Sequence, residues 1–391
     1  MQQKKISVSH QALCIHHQLV DEIRVRIEQN GGMIHFQEFM QLALYKPGLG
    51  YYQNPVQKFG EQGDFVTAPE MGNHFANCLA RSIAELQADN RNQLLEIGAG
   101  SGALAVELLS SLAKMDLLPQ KYLILEPSAN LQALQKRKVS LLPPEIAAIV
   151  EWLPDLPENF TGTAIANEVI DAIPCERIVK TESGWKYQGV TWQENAFQWH
   201  VIENHGTQAL EDMEAFPQVL SESSEFQVGY VTETRPMANS WIERISRSID
   251  KGWILLFDYG YPQQEYYHPQ RIEGSLRCFS RHQANSNPLE LVGLQDITAH
   301  VDFTELANAA VSCGLEVSGF TTQSGFLIEN GILEVEHSAN QVSTDSYINS
   351  QQIQKLIAPG QMGEVVKVIA LSKEVDDQPG GFGLQDHLHR L

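Results

Sequence analysis

The feature that most constrains this chain lies at residues 94–114. A short apolar run, Leu94-Leu95-Glu96-Ile97, leads directly into Gly98-Ala99-Gly100-Ser101-Gly102. Residues 103–114 then place Leu104, Leu108 and Leu109 on one side of a helix. A buried strand, a glycine turn and a helix in that order open a parallel α/β unit. Glycines let the backbone turn tightly and let a ligand approach the chain closely. The helix start that follows offers free N–H groups and the positive end of the helix dipole.

The same alternation continues on both sides. Tyr122–Leu125 reads as a strand ending in Glu126-Pro127, and 128–138 as a helix; Ala147–Val150 and Thr163–Ala166 read as further short strands. A helix at 236–249, a strand at Trp253–Phe257, a helix at 302–313, a strand at Leu315–Phe320, a helix over 334–357 and a closing strand at Val365–Leu371 complete the pattern. The expected fold class is α/β, Rossmann-like, with a mostly parallel sheet covered on both faces. Helices are expected at 10–30, 35–45 and 72–87, with an ordered loop over 46–70. Segments such as Trp185–Val190 alternate in hydrophobicity and predict antiparallel strands. The expected organisation is a helical N-terminal extension with a ligand loop over 1–90 and a sheet domain over 91–372. That domain is interrupted by a β-rich insertion at 177–232 and by substrate-side loops at 259–300. A flexible tail over 373–391, with Pro379-Gly380-Gly381, ends the chain.

Charge narrows the partners. Lys plus Arg is 27 and Asp plus Glu is 48, a formal charge of −21. A chain this acidic is repelled by nucleic acid unless it carries a local basic face, and the densest basic run, Lys136-Arg137-Lys138, reads as a solvated helix face. The five cysteines are far apart and form no CxxC, so reduced thiols and no metal site are expected. The longest apolar stretches are strand-sized, so neither a secretory signal nor a membrane span is expected.

The glycine turn allows two ligand classes. Gly98, Gly100 and Ala103 fit the G-x-G-x-x-A pattern of dinucleotide sites. Glu96, however, ends the apolar strand with a carboxylate where a pyrophosphate would lie. That is awkward for a dinucleotide and suited to the amino group or sulfonium of S-adenosylmethionine. Glu126 ends the next strand, where a carboxylate accepts hydrogen bonds from both ribose hydroxyls of either cofactor. A second cluster, Asn167-Glu168-x-x-Asp171-x-x-Pro174, follows the strand at 163–166. Ligands of open α/β sheets sit beyond the carboxyl ends of the strands, so Asn167, Glu168 and Asp171 should face the same crevice. Two carboxylates there suit a cationic nucleophile such as a guanidinium. The alternative is that Asn167 caps a helix and Glu168 is merely solvated.

Several segments together resemble the MidA-like family of S-adenosylmethionine-dependent protein arginine methyltransferases, whose mitochondrial members assist assembly of respiratory complex I. The resemblance rests on Leu44-Tyr45-Lys46-Pro47-Gly48-Leu49-Gly50-Tyr51-Tyr52, Gly63-Asp64-Phe65-Val66-Thr67-Ala68-Pro69-Glu70, Leu95–Gly102 and Ala166–Pro174. It continues through Phe257-Asp258-Tyr259-Gly260-Tyr261, Asp296–Phe303 and Pro359–Gly363, spanning about residues 30 to 372. It implies a class I methyltransferase that dimethylates an arginine of a protein substrate such as a complex I subunit. It also implies that Asp64, Phe65 and Glu70 help form the cofactor pocket, while Asn167, Glu168, Asp258 and Tyr259 line the substrate side. The expected compartment is the cytoplasm in a bacterium or the mitochondrial matrix in a eukaryote. The insertion supplies either a lid or a homodimer interface, and the sequence does not choose. Two rival functions stay open: a nicotinamide-dependent oxidoreductase, and a non-enzymatic assembly factor with a vestigial pocket.

Overall fold

The computed structural model describes residues 10–56, 67–84, 86, 92–203, 210, 216–223, 225–280, 283–285, 287–334 and 344–391. They form two compact units.

One unit comprises the described parts of Val66–Asp171, Asn239–Tyr266 and His300–Leu391. Its main strands are β1 (Gln93–Ile97), β2 (Lys121–Leu125), β3 (Val150–Leu153), β4 (Phe160–Asn167), β5 (Ile249–Tyr261), β6 (Glu316–Thr322) and β7 (Val366–Lys373). They lie in the order β6-β7-β5-β4-β1-β2-β3. β1 to β5 pair in parallel, and β7 runs antiparallel to both of its neighbours. The order reverses at β1: β2 lies on one side of it and β4 on the other, and this is where open sheets bind ligands. Burial explains the strand sequences. Trp253 to Phe257 of β5 are each 1% exposed or less, because helices cover both faces of the sheet. The helix Ala103–Lys114 buries Leu104, Leu108, Leu109 and Leu112, one stripe at helical spacing. The helix His74–Ala84 packs on the same core, with Phe75 edge-on to Phe257 at 5.1 Å.

The other unit comprises the described parts of Met1–Phe65, Ala172–Ala238 and Tyr267–Ala299. The helices His10–Gln29 and Phe36–Tyr45 share a hydrophobic core with Val190 and Phe197 of an antiparallel sheet and with Leu276, Val292 and Ile297. In that sheet Gly184–Gln193 pairs with Glu176–Thr181, Ala196–Ile202 and Met33–His35. A small sheet of Arg277–Ser280, Gln283–Asn285 and Asp296–Thr298 completes the unit.

The sequence expectations meet this architecture with four differences. The N-terminal segment does not stay together: residues 10–56 join the insertion's unit, while the helix His74–Ala84 joins the sheet unit. Within the span 259–300, Tyr267–Ala299 likewise belongs to the insertion's unit. The run Ala147–Val150 is not a strand. Pro144 starts the helical turn Pro144–Ala147, where proline's fixed φ fits, and β3 begins only at Val150. Finally, the tail beyond residue 373 is tied down. Gly380 O accepts from Ser82 Oγ at 2.8 Å, His387 N donates to Phe320 O at 2.8 Å, and Gly383 N and Leu384 N donate to Glu329. Of the expected helix at 334–357, Thr344–Ile357 is observed; 335–343 lie outside the described residues. No helix among the described residues is long and apolar enough to cross a membrane.

Candidate active site

The carboxyl ends of β1, β2, β4 and β5 gather most of the candidate residues in the sheet unit. The glycine turn comes first. Gly98, Gly100 and Gly102 have φ of 72°, 51° and 77°, in the left-handed region that side chains rarely adopt. A Cβ at Gly98 would stand 2.7 Å from Val169 Cγ2, so the turn also lies against the segment that carries Glu168.

Glu126, at the end of β2, is buried and clamped. Its carboxylate accepts from Ser128 N at 2.9 Å and from Gln135 Nε2 at 3.2 Å, and the Gly100 amide also bonds to it. Burial nonetheless pushes it up to about 7. Gln135 has three roles: its Nε2 also donates to Gly100 O at 2.9 Å, and its Oε1 accepts from Trp152 Nε1 at 2.9 Å. It therefore fixes the distance between the glycine turn and Glu126. Sequence reasoning missed it, because nothing local marks a glutamine within a helix as a bridge.

Glu96 is 3% exposed and accepts from Tyr122 Oη at 2.7 Å. Burial, with a smaller contribution from the Glu126 charge, pushes it up to about 7. Two buried carboxyls that repel each other beside a glycine turn suit a cationic ligand group and resist a pyrophosphate. The donor set thus fits an amino-acid sulfonium cofactor.

Glu70 ends the short 3-10 turn Ala68–Glu70. Its Oε2 is buried with no hydrogen-bond partner among the described residues. Its charge also acts on Lys138, whose Nζ donates to Ser101 Oγ of the glycine turn at 3.1 Å. Asp64 and Phe65 lie outside the described residues.

The substrate-side candidates are set by the end of β4. Asn167 Nδ2 lies 3.4 Å from Glu168 Oε1, and Asn167 Oδ1 is buried with no partner among the described residues. Asn167 therefore does not act as a helix cap; its amide stands beside the Glu168 carboxylate. Asp171 is 6% exposed. Tyr259 is held neutral: burial first, then the charges of Glu168, Asp171 and Asp258, push its phenol well above the usual range. Its ring is stacked on that of His300, with centroids 6.5 Å apart, and Tyr261 meets His300 edge-on at 5.2 Å. Asp258 departs from its expected place. It is 0% exposed and its oxygens accept backbone N–H groups, so it does not face a substrate.

Comparison with known proteins bears on this geometry. The sequence model of the family described as S-adenosyl-L-methionine-dependent methyltransferase matches residues 75–321. A Caenorhabditis elegans protein named protein arginine methyltransferase NDUFAF7 homolog, mitochondrial, is 28% identical over 382 residues, spanning 90% of this chain and 85% of its own. The human protein arginine methyltransferase NDUFAF7, mitochondrial, is 28% identical over 373 residues, spanning 87% and 80%. A crystal structure of a Burkholderia thailandensis protein bound to S-adenosyl-homocysteine is similar at a TM-score of 0.91 and 37% identity. The match covers 98% of this chain and 99% of that one.

Proposed function

We propose that this chain, which belongs to the family of S-adenosyl-L-methionine-dependent methyltransferases and takes S-adenosyl-L-methionine as its cofactor, methylates an arginine side chain of a protein substrate. The observation that carries the arginine reading is the pair of acceptors at the end of β4, the Glu168 carboxylate and the Asn167 amide oxygen. A guanidinium is a planar cation with five N–H donors and no acceptor, and such a pair matches it. The relatives named protein arginine methyltransferase support the same reading.

In this reading the turn Gly98-Gly100-Gly102, Glu96 and Glu126 hold the cofactor, with Glu70 beside them. Asp64 and Phe65 keep the pocket role that the resemblance implies. When bound, the cofactor supplies a methyl group made electrophilic by its sulfonium. Glu168 pairs with two N–H groups of the arginine and keeps the positive charge on that side, which frees the lone pair of the far nitrogen. Asn167 Oδ1 accepts a further N–H and fixes the plane of the group. Glu168, together with Asp171, then takes the proton that the methylated nitrogen releases. Tyr259 borders this space as a neutral phenol. By the family resemblance, the substrate is a subunit of respiratory complex I. The compartment is then the mitochondrial matrix in a eukaryotic host, in keeping with relatives named mitochondrial, or the cytoplasm in a bacterial host.

Calorimetric titration with S-adenosylhomocysteine, paired with mass spectrometry of a candidate substrate protein, tests the division of roles. Glu168→Gln should bind S-adenosylhomocysteine as the wild type does and lose turnover on the order of 100-fold. Glu126→Ala should weaken that binding by roughly tenfold or more. Equal loss of binding in both variants would refute the assignment, and methylation at a residue other than arginine would refute the substrate class.

A further inference from the structure

Glu168 is held in a backbone conformation that its side chain disfavours. Its φ is 52°, left-handed, at a residue that is neither glycine nor asparagine. Such a conformation persists only where the surroundings over-determine it. Prominent among the surroundings here is one side chain on the neighbouring strand. Asn167 pairs in register with Phe257, and Glu168 N still donates to Phe257 O at 2.8 Å. Beyond that bond the chain leaves the sheet and wraps around Asp258. Its Oδ2 accepts three successive N–H groups, from Val169 at 3.1 Å, Ile170 at 2.7 Å and Asp171 at 3.2 Å. Its Oδ1 accepts Tyr259 N at 2.8 Å. Successive amides converging on one anion form a nest, a shape the backbone adopts when a left-handed residue joins a right-handed run.

We propose that Asp258 is a positioning residue, whose buried carboxylate folds residues 168–171 into this nest and thereby fixes the direction of the Glu168 carboxylate. It acts through Glu168 and not on the substrate, since it is fully enclosed. The role of Glu168 rests on the arginine reading above; the folding of the nest does not. A neutral side chain at 258 presents less negative charge to the three amides, so the turn relaxes and Glu168 leaves the disfavoured region.

The test compares wild type, Asp258→Asn, Glu168→Gln and the double variant. Asparagine keeps the volume and one acceptor, so the variant should fold; Asp258→Glu, which keeps the charge but displaces it, is the second probe. Three results are expected of Asp258→Asn: S-adenosylhomocysteine affinity within about twofold of wild type, a kcat lower by on the order of 100-fold, and hydrogen exchange at the amides of 169–171 faster by about tenfold or more. Asp258→Glu should fall between Asp258→Asn and wild type. The double variant should be no slower than Glu168→Gln alone, because Asp258 has nothing further to position. Additive losses in kcat, or a loss of cofactor affinity equal to the loss of turnover, would overturn the positioning role. Unchanged exchange at 169–171 would overturn it without reference to any substrate. If wild type fails to methylate arginine, the arginine reading falls, and the exchange result still decides the nest.

Discussion

At Gly98 two functions share one contact. The residue needs φ of 72° for the turn, and the missing Cβ leaves room for Val169, the first amide of the nest behind Glu168. Gly98→Ala should therefore act twice. The left-handed conformation costs about 1–2 kcal/mol for a residue with a Cβ. The added carbon, 2.7 Å from Val169 Cγ2, also pushes the Glu168 segment. The expected outcome is a lowered urea midpoint together with losses in both S-adenosylhomocysteine binding and kcat; a variant that loses only binding would separate the two segments. At this scale the sequence was legible where chemistry is local. Glycines after a strand, and acids just beyond strand ends, announce themselves by position. Glu168 and Asn167 were found that way, but the left-handed φ of Glu168 was not, because it is imposed by Asp258, 90 residues further along the chain. The family resemblance likewise implies a substrate-side place for Asp258, whereas its carboxylate accepts backbone amides. Gln135 and Tyr122, which hold Glu126 and Glu96, are invisible without the fold.

Among the elements, the strands and helices of the parallel sheet followed from their apolar periodicity, since a strand buried on both faces and a helix with one apolar stripe have few alternatives. What failed was the reading of glycine and proline as slack in the C-terminal segment. Gly381 has φ of 107°, and a Cβ there would stand 2.4 Å from Phe326; a Cβ at Gly319 would stand 2.5 Å from the Phe382 ring. These glycines permit close packing: Phe382 meets Phe326 edge-on at 5.7 Å, and Glu329 accepts the two amides that follow. Phe382→Ala should destabilise the protein by about 2 kcal/mol, since the ring is only partly buried. Urea unfolding should show a lower midpoint at an unchanged slope. An unchanged midpoint would mean that the segment adds nothing to the core. Assignment of elements to units was also beyond the sequence: the helix His74–Ala84 could join either core, and its packing on Phe257 and the rest of the sheet unit's core decides.

For the molecule as a whole, charge sets the response to pH. Glu96, Glu126 and Asp302 are all pushed up to about 7, each mainly by burial. The folded chain therefore keeps three protons over a range, about 4.5 to 7, in which the unfolded chain has released them. Unfolding in that range releases protons, so a rise in pH favours it. The stability these groups contribute is complete below the ordinary carboxyl range and is lost as pH climbs through about 7. The formal charge of −21 adds self-repulsion in the same direction. His74 and His387, both lowered by burial, pull the other way, but their displacement is smaller. Lys367, lowered to about 8, matters only above that pH. The ligand-free protein should thus melt several degrees lower at pH 8 than at pH 5.5. Glu96→Gln, whose amide oxygen still accepts from Tyr122 and which has no proton to lose, should flatten the slope. A wild-type melting temperature that is level across this interval would show that these carboxyls are already ionised in the fold. The repulsion between Glu96 and Glu126 would then have to be relieved by groups other than Tyr122, Ser128, Gly100 and Gln135. In that case the cationic end of the cofactor would find a charge waiting for it, and its affinity would not change with pH. If Glu96 and Glu126 are protonated as the burial argues, binding must expel a proton, and affinity for S-adenosylhomocysteine should rise as pH is raised from 5.5 to 8. Calorimetry in two buffers of different ionisation enthalpy measures that proton directly.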